Sequence, residues 1–310
     1  MITRRNIITF GTMVLAATGL PAARAQEQRL KVVASFSILG DLARQVGGDR
    51  IEVTSIVGPN QDAHVFQPSP ADARKLAGAA LVIVNGLGFD TFMDKLVAAS
   101  GGKPMRVTAA AGLDLMKKPA GATDDHGHKH GAAAQKDDPH VWQSIANARR
   151  IVQMISVSLA TVDPAGKAAY DANLTSYLAR LDALDAEFRA AIAALPPARR
   201  AFATSHDAFR YLARDYGLTS HAIQGVSPHA EASAGDLAKI IRQLKASKAP
   251  AVFLENVSDS RAIARIARET GAKLGGTLYS DALSLADGPV PSYIDLMRHN
   301  MNQLAGALAP

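Results

Sequence analysis

The chain has 310 residues, 48% of them hydrophobic and 20% charged, which is enough for a large core and on length suggests about two domains. It contains no cysteine, so neither a disulfide nor a lipid-modified N-terminal cysteine is expected. The formal charge is +6, but Arg4, Arg5 and Arg24 lie in an acid-free leader; without them 31 bases face 28 acids, and no basic patch with interleaved aromatics points to nucleic acid.

Residues 1–25 read as an export signal, with Arg4 and Arg5 ahead of an apolar stretch from Ile7 to Leu20 and Ala23-Arg24-Ala25 as a cleavage site. The stretch falls short of the ~20 residues that span a bilayer, which disfavours a retained anchor. A soluble periplasmic protein beginning near Gln26 is expected. Thr3-Arg4-Arg5-Asn6-Ile7-Ile8 also resembles a twin-arginine signal.

Strand-like and helical runs then alternate. Strands are predicted at 31–36, 51–57, 80–85 and 105–108, with helices at 39–46, 70–77 and 90–99 between them. Residues 109–139 are rich in Ala, Gly, Asp and Lys, lack periodicity, and read as a surface loop carrying His126, His128 and His130. Tyr170, Leu174, Tyr177, Leu181, Leu184, Phe188, Ile192 and Leu195 recur at spacings of three and four, between Pro164 and Pro196-Pro197. That stripe predicts one helix of about 30 residues, roughly 45 Å long, stiff enough to join two lobes. A second set of strands follows at 200–205, 220–224, 251–255 and 273–279, with helices at 208–214, 235–246 and 260–270.

β-α alternation of this kind means right-handed crossovers and mostly parallel sheets covered on both faces. The expected fold is α/β: two lobes, each with a four-stranded mostly parallel sheet flanked by helices, joined by one long rigid spine helix. The expected divisions are a signal peptide 1–25, an N-terminal lobe 26–163 with the His-containing loop 109–139, a linking helix 164–196 and a C-terminal lobe 197–310.

Ligands of open parallel sheets bind beyond the carboxyl ends of the strands. His206 follows the predicted strand 200–205, Asp281 comes two residues after Tyr279, His64 lies in the loop after 51–57, and His140 precedes a helix beginning near Gln143. Three imidazoles and one carboxylate are what a tetrahedral Zn²⁺ site asks for. No short zinc-finger or His-Glu-x-x-His spacing joins them, so only the fold could make one site of them. Taken singly, a loop histidine is more often a hydrogen-bonding or surface residue, and Asp281 could cap a turn.

The segments 58–70 (Gly58-Pro59-Asn60-Gln61-Asp62-Ala63-His64 through Pro70), Asp138-Pro139-His140-Val141-Trp142, Thr204-Ser205-His206-Asp207-Ala208-Phe209 and Leu278-Tyr279-Ser280-Asp281 resemble the metal-binding segments of the substrate-binding proteins of zinc and manganese ABC importers. The resemblance runs through essentially all of the chain after the leader; Ala63 and Phe66 depart from it where Pro and Tyr are common. It implies a periplasmic protein that holds one divalent metal through His64, His140, His206 and Asp281 and hands it to an inner-membrane ABC permease. Manganese members carry Glu at the position of His206, so three histidines favour Zn(II) as the transported ligand over Mn(II). A His-rich loop at this place implies auxiliary capture by His126, His128 and His130. A monomer is expected, with a metallochaperone as a further partner.

Glu255 ends a strand on the same side and is a candidate to orient a ligand histidine. His221 and His299 read as packing or surface residues, and His229 and Glu231 as residues ahead of a helix capped by Ser233. A secreted zinc hydrolase is the competing function. It would need an open metal position and a general base, and neither Glu nor a second His sits at the familiar offsets from His64, His140 or His206. A metal-storing or adhesive surface protein would need repeated sites, and no repeat array is present.

Overall fold

A computed structural model describes residues 29–118, 137–222, 234–247, 250–257 and 260–310. The leader 1–25, the histidines of 126–130, His229, Glu231 and Ser233 lie outside the described residues.

Short β-rich apolar runs bounded by Gly and Pro build two sheets, each of four parallel strands. In the first, β1 (Leu30–Phe36), β2 (Ile51–Val57), β3 (Leu81–Val84) and β4 (Met105–Thr108) lie in the order β2-β1-β3-β4. In the second, β5 (Ala201–Thr204), β6 (Thr219–Ala222), β7 (Ala251–Glu255) and β8 (Lys273–Leu278) repeat that order as β6-β5-β7-β8. β2, β4 and β7 match the predicted bounds to the residue, and the others differ by one or two at an end. The chain reverses direction across each sheet between its two central strands, so the crevice beyond β1 and β3, and that beyond β5 and β7, is where such a sheet receives a ligand.

Helices α1 (Ser37–Gly47), α2 (Pro70–Leu76) and α3 (Phe92–Ala99) connect the first sheet; α6 (Arg210–Tyr216), α7 (Ala234–Ser247) and α8 (Ser260–Thr270) connect the second. α2 shows how local sequence fixes a boundary. Ser69 and Asp72 form a reciprocal capping box, and Pro70, which has no N–H to satisfy, stands at the first helical position.

Between the sheets run α4 (Ile145–Val162) and α5 (Lys167–Ala193), the expected spine. α5 has 27 residues, about 40 Å at 1.5 Å per residue. The predicted first turn at Pro164 is a separate 3-10 turn, Pro164–Gly166, because the Asp163 side chain accepts the Gly166 N–H and holds the backbone in a tighter winding. Seven of the eight stripe residues are buried, and Leu174 is half-buried against the same core. Among the described residues no helix is long and apolar enough to cross a membrane.

The last helix, α9 (Tyr293–Leu308), packs on β8, α5 and α1, so the chain's end returns to the first half. Its buried Tyr293 donates its backbone N–H to Asp41 of α1 at 2.8 Å and its hydroxyl to the Trp142 carbonyl at 2.8 Å. One continuous apolar core therefore extends from the first sheet through α4, α5 and α9 to Phe202, Phe253 and Leu278 on the spine-facing side of the second. Ala203, Leu244, Val252, Ile263 and Ile266 form a separate, smaller cluster on that sheet's other face.

Candidate metal centre

Each sheet delivers side chains from its carboxyl-end loops. β2 runs into a loop in which the Gln61 side chain accepts the Gly58 N–H at 2.8 Å and Asp62 accepts the His64 N–H at 2.7 Å, turning His64 toward the second half. Asn60, at φ 54°, donates its N–H across the crevice to the Leu283 carbonyl at 2.8 Å, fastening this loop to the one that carries Asp281. His206 lies two residues beyond β5, and Thr204 returns its hydroxyl to the His206 carbonyl at 2.9 Å. Asp281 lies three residues beyond β8; Ser280 beside it accepts hydrogen bonds from Trp142 Nε1 at 2.8 Å and Gln143 Nε2 at 2.7 Å. The His140 segment and the Asp281 segment are thus bound to each other by buried polar contacts.

The four residues converge. One ligand atom from each of His64, His140, His206 and Asp281 lies within 4.8 Å of all the others. Nε2 of His64, His140 and His206 stand 3.6, 3.8 and 3.0 Å from the Asp281 carboxylate. His140, His206 and Asp281 are fully buried, and Nε2 of His140 and His206 and both Asp281 oxygens make no aligned hydrogen bond. Polar atoms left so in a dry interior are costly unless something else satisfies them, and a cation with open coordination positions does.

Carboxylates behind two of the rings set their tautomers. Asp138 Oδ1 lies 2.8 Å from His140 Nδ1 and also accepts the His140 N–H at 3.0 Å. Glu255 Oε2 lies 2.6 Å from His206 Nδ1, while its Oε1 accepts the His206 N–H at 2.9 Å. A carboxylate accepts, so Nδ1 is the nitrogen that keeps a proton and Nε2 is the one turned inward, where it can ligate a metal once it carries no proton. Glu255, at the end of β7, thus contacts both the ring and the backbone of His206. Asp138 has no role assigned from sequence; the signal for it is the Asp-x-His spacing shared by Asp62-Ala63-His64 and Asp138-Pro139-His140.

Charge is balanced within the cluster. Burial pushes the Asp281 carboxyl up, but His206 beside it outweighs this and holds it well below the usual carboxylate range. Burial likewise pulls the His206 imidazole down, but Glu255 and Asp281 on either side hold it well above the usual histidine value. Burial raises Asp207, next in sequence, to about 6.

His221 and His299 stand elsewhere. His221 is in β6, half-buried, and burial lowers its pKa. His299 on α9 lies 2.9 Å from the Thr277 carbonyl and edge-on to Tyr279.

Residues 32–307 match the family described as zinc-uptake complex component A, periplasmic. The iron-binding protein YfeA of Yersinia pestis is 30% identical over 303 residues, covering 97% of this chain and 93% of YfeA. Among solved structures, the Mn-bound periplasmic metal-binding protein of candidatus Liberibacter asiaticus superposes with a TM-score of 0.80 at 28% identity, covering 91% of this chain and 100% of that one. The periplasmic zinc-binding protein TroA of Treponema pallidum gives 0.81 at 26%, with the same coverage. With the family match spanning nearly all of the residues after the leader, and two solved relatives sharing the paired-sheet architecture, this chain belongs to the family of periplasmic zinc-uptake component A proteins.

Proposed function

We propose that this chain captures Zn(II) through His64, His140, His206 and Asp281 and delivers it to the membrane permease of an ABC importer. Family membership makes it a periplasmic, metal-binding substrate-binding component of such an importer. The observation that carries the finer reading is the donor set: three inward-facing imidazoles and one carboxylate, buried and within 4.8 Å of one another. Nitrogen-rich tetrahedral sites suit Zn(II), whereas Mn(II) favours more oxygen donors and a higher coordination number. Four protein donors also leave no open position of the kind a catalytic zinc keeps for water, which favours carriage over hydrolysis.

Mn(II) is the second reading, favoured by the Mn-bound relative of the same fold. Elemental analysis of the purified protein, followed by chelator competition, separates the two. Wild type is expected to carry one zinc per chain. His206→Glu adds an oxygen donor and should weaken Zn(II) by about 100-fold while improving Mn(II) relative to it, roughly one ligand's share of a site worth ~10–16 kcal/mol. Wild type that exchanges bound zinc for equimolar Mn(II) would overturn the assignment of the metal. His206→Ala that holds zinc as tightly as wild type would overturn the assignment of the site.

A further inference from the structure

The second torsion of a histidine is broad, so a rotamer alone does not aim Nε2; a neighbour must hold the ring. The His64 ring meets the ring of Phe89, with centroids 4.7 Å apart and planes at 83°. At that distance and angle the pair is edge-to-face, the preferred aromatic geometry, and turning the imidazole about its ring axis forfeits the contact.

Phe89 is itself fixed. Its ring packs edge-on to Phe36 at 5.1 Å and tilted on Trp142 at 4.8 Å, and the residue is 5% exposed. Its backbone belongs to the turn Asn85–Asp90, in which Gly86, Leu87 and Gly88 have φ of 86, 56 and 80°. Leu87 in the left-handed region costs of order 1 kcal/mol and persists only where the surroundings over-determine it. Here they do. The buried Asp90 carboxylate accepts the Asn85 N–H at 2.6 Å and the Gly86 N–H at 3.0 Å, and the Phe89 N–H closes the turn on the Gly86 carbonyl at 3.1 Å. Asn85 in addition donates Nδ2 to the Pro139 carbonyl at 2.9 Å, one residue from His140. A single clamped turn thus touches both histidines contributed ahead of the spine.

We propose that Phe89, carried on the turn Asn85–Asp90, is a positioning residue that sets the plane of the His64 imidazole and so the direction of its Nε2 lone pair. The inference rests on the reading of His64 as a ligand. Phe89 touches no metal; it acts through His64, and that dependence is what an experiment can isolate.

The test is a double-mutant cycle of Phe89→Leu and His64→Ala, read by chelator competition for Zn(II) and by the visible bands of Co(II) bound in its place. Phe89→Leu is expected to weaken Zn(II) by about tenfold, as for other groups that orient a ligand, and to lower the intensity of the Co(II) bands as one donor loses its direction. In the His64→Ala background the same substitution should change affinity less than twofold, since there is no ring left to hold. An equal loss in both backgrounds would mean general loosening and would overturn the inference, as would a Phe89→Leu protein that binds like wild type. His64→Ala binding like wild type would instead sink the ligand reading beneath it. Phe89→Met, which keeps apolar volume on a flexible side chain, serves as the second variant if Phe89→Leu folds poorly.

Discussion

The two halves of the molecule repeat one topology and fill its crevice with opposite chemistry. At the carboxyl ends of β1 and β3 the first sheet places Phe36, the last residue of β1, and Phe89, ring against ring at 5.1 Å, with Trp142 capping both. At the carboxyl ends of β5 and β7 the second places His206 and Glu255, the last residue of β7, imidazole against carboxylate at 2.6 Å. The halves also differ in how they are anchored. The buried apolar side chains of the first sheet all belong to the continuous core, whereas α7 and α8 cover the far face of the second over five small and medium apolar side chains. The same fold unit thus sets an apolar wall at the central strand ends of the first sheet and an imidazole–carboxylate pair at those of the second. Neither half alone holds the four candidate donors: His64 and His140 come from ahead of the spine, His206 and Asp281 from beyond it.

The largest effect should come from cutting the core that joins the halves. Leu181 on the spine is fully buried, and Leu181→Ala is expected to cost ~2–5 kcal/mol through lost burial and the cavity left behind. Ile263→Ala in the separate cluster removes similar volume where fewer neighbours depend on it, so its cost should lie near ~2 kcal/mol. Denaturant midpoints measure the totals; hydrogen exchange tells where they fall. Leu181→Ala should raise exchange on both sheets, Ile263→Ala mainly in α7 and α8. Equal spread from both substitutions would abolish the distinction between a shared core and an independent outer layer.

A smaller effect should separate the two supporting carboxylates. Glu255→Gln and Asp138→Asn each replace a charged acceptor by a neutral amide, and each is expected to weaken metal binding by about 10–100-fold. Glu255 holds His206 through both ring and backbone at 2.6 and 2.9 Å, with all of its bonding directed at one ligand. Asp138 also faces Arg210 at 3.4 Å, so part of its charge is already engaged. Glu255→Gln should therefore fall nearer the upper end of that range and Asp138→Asn nearer the lower. A larger loss from Asp138→Asn would put the stronger support ahead of the spine and reverse the contrast between the halves.

What the sequence made legible follows from which interactions are local. β2, β4, β7 and α8 match their predicted bounds because an apolar run with a Gly or Pro near its end carries its own limits. The spine was legible for the same reason, a 3.6-residue stripe with prolines beyond it. His64, His206 and Asp281 stood out because each lies in a loop after a strand, where a parallel sheet exposes its loops, and His140 because it precedes a helix on the far side of the loop 109–139. Phe89 did not. Its role depends on meeting His64 across 25 positions of sequence, and Phe in an apolar stretch reads as core. The 3-10 winding at Pro164–Gly166 was equally hidden, since it needs the Asp163 side chain to turn back on Gly166. The return of α9 to α1 rests on Tyr293 finding Asp41, a contact 252 residues apart that no periodicity announces.

The mildest test concerns the proton on the charged side of the crevice. In the metal-free protein His206 is held above its ordinary value of 6.5 by Glu255 and Asp281, so it keeps its proton at neutral pH, and a metal must displace that proton to bind Nε2. Affinity should accordingly rise by about tenfold per pH unit above ~6.5 for as long as one proton leaves per ion, and fall as the medium is acidified. Stability of the metal-free protein runs the other way. A raised histidine contributes fully below its unfolded value and loses that contribution as pH climbs through the folded one; Asp281, lowered, contributes above its unfolded value and loses it as pH drops through the folded one. The metal-free form should therefore be most stable between the unfolded values of the two groups, about pH 4 to 6.5, and soften toward alkaline pH, where the zinc-loaded form gains. Melting temperatures of both forms from about pH 5 to about pH 9, with calorimetric titration in two buffers of different ionisation enthalpy, read the two slopes and the released proton. Parallel curves with no proton released at about pH 7.5 would show His206 already neutral, and the second crevice would then differ from the first in hydrogen bonding alone, without the charge that Glu255 and Asp281 place on it.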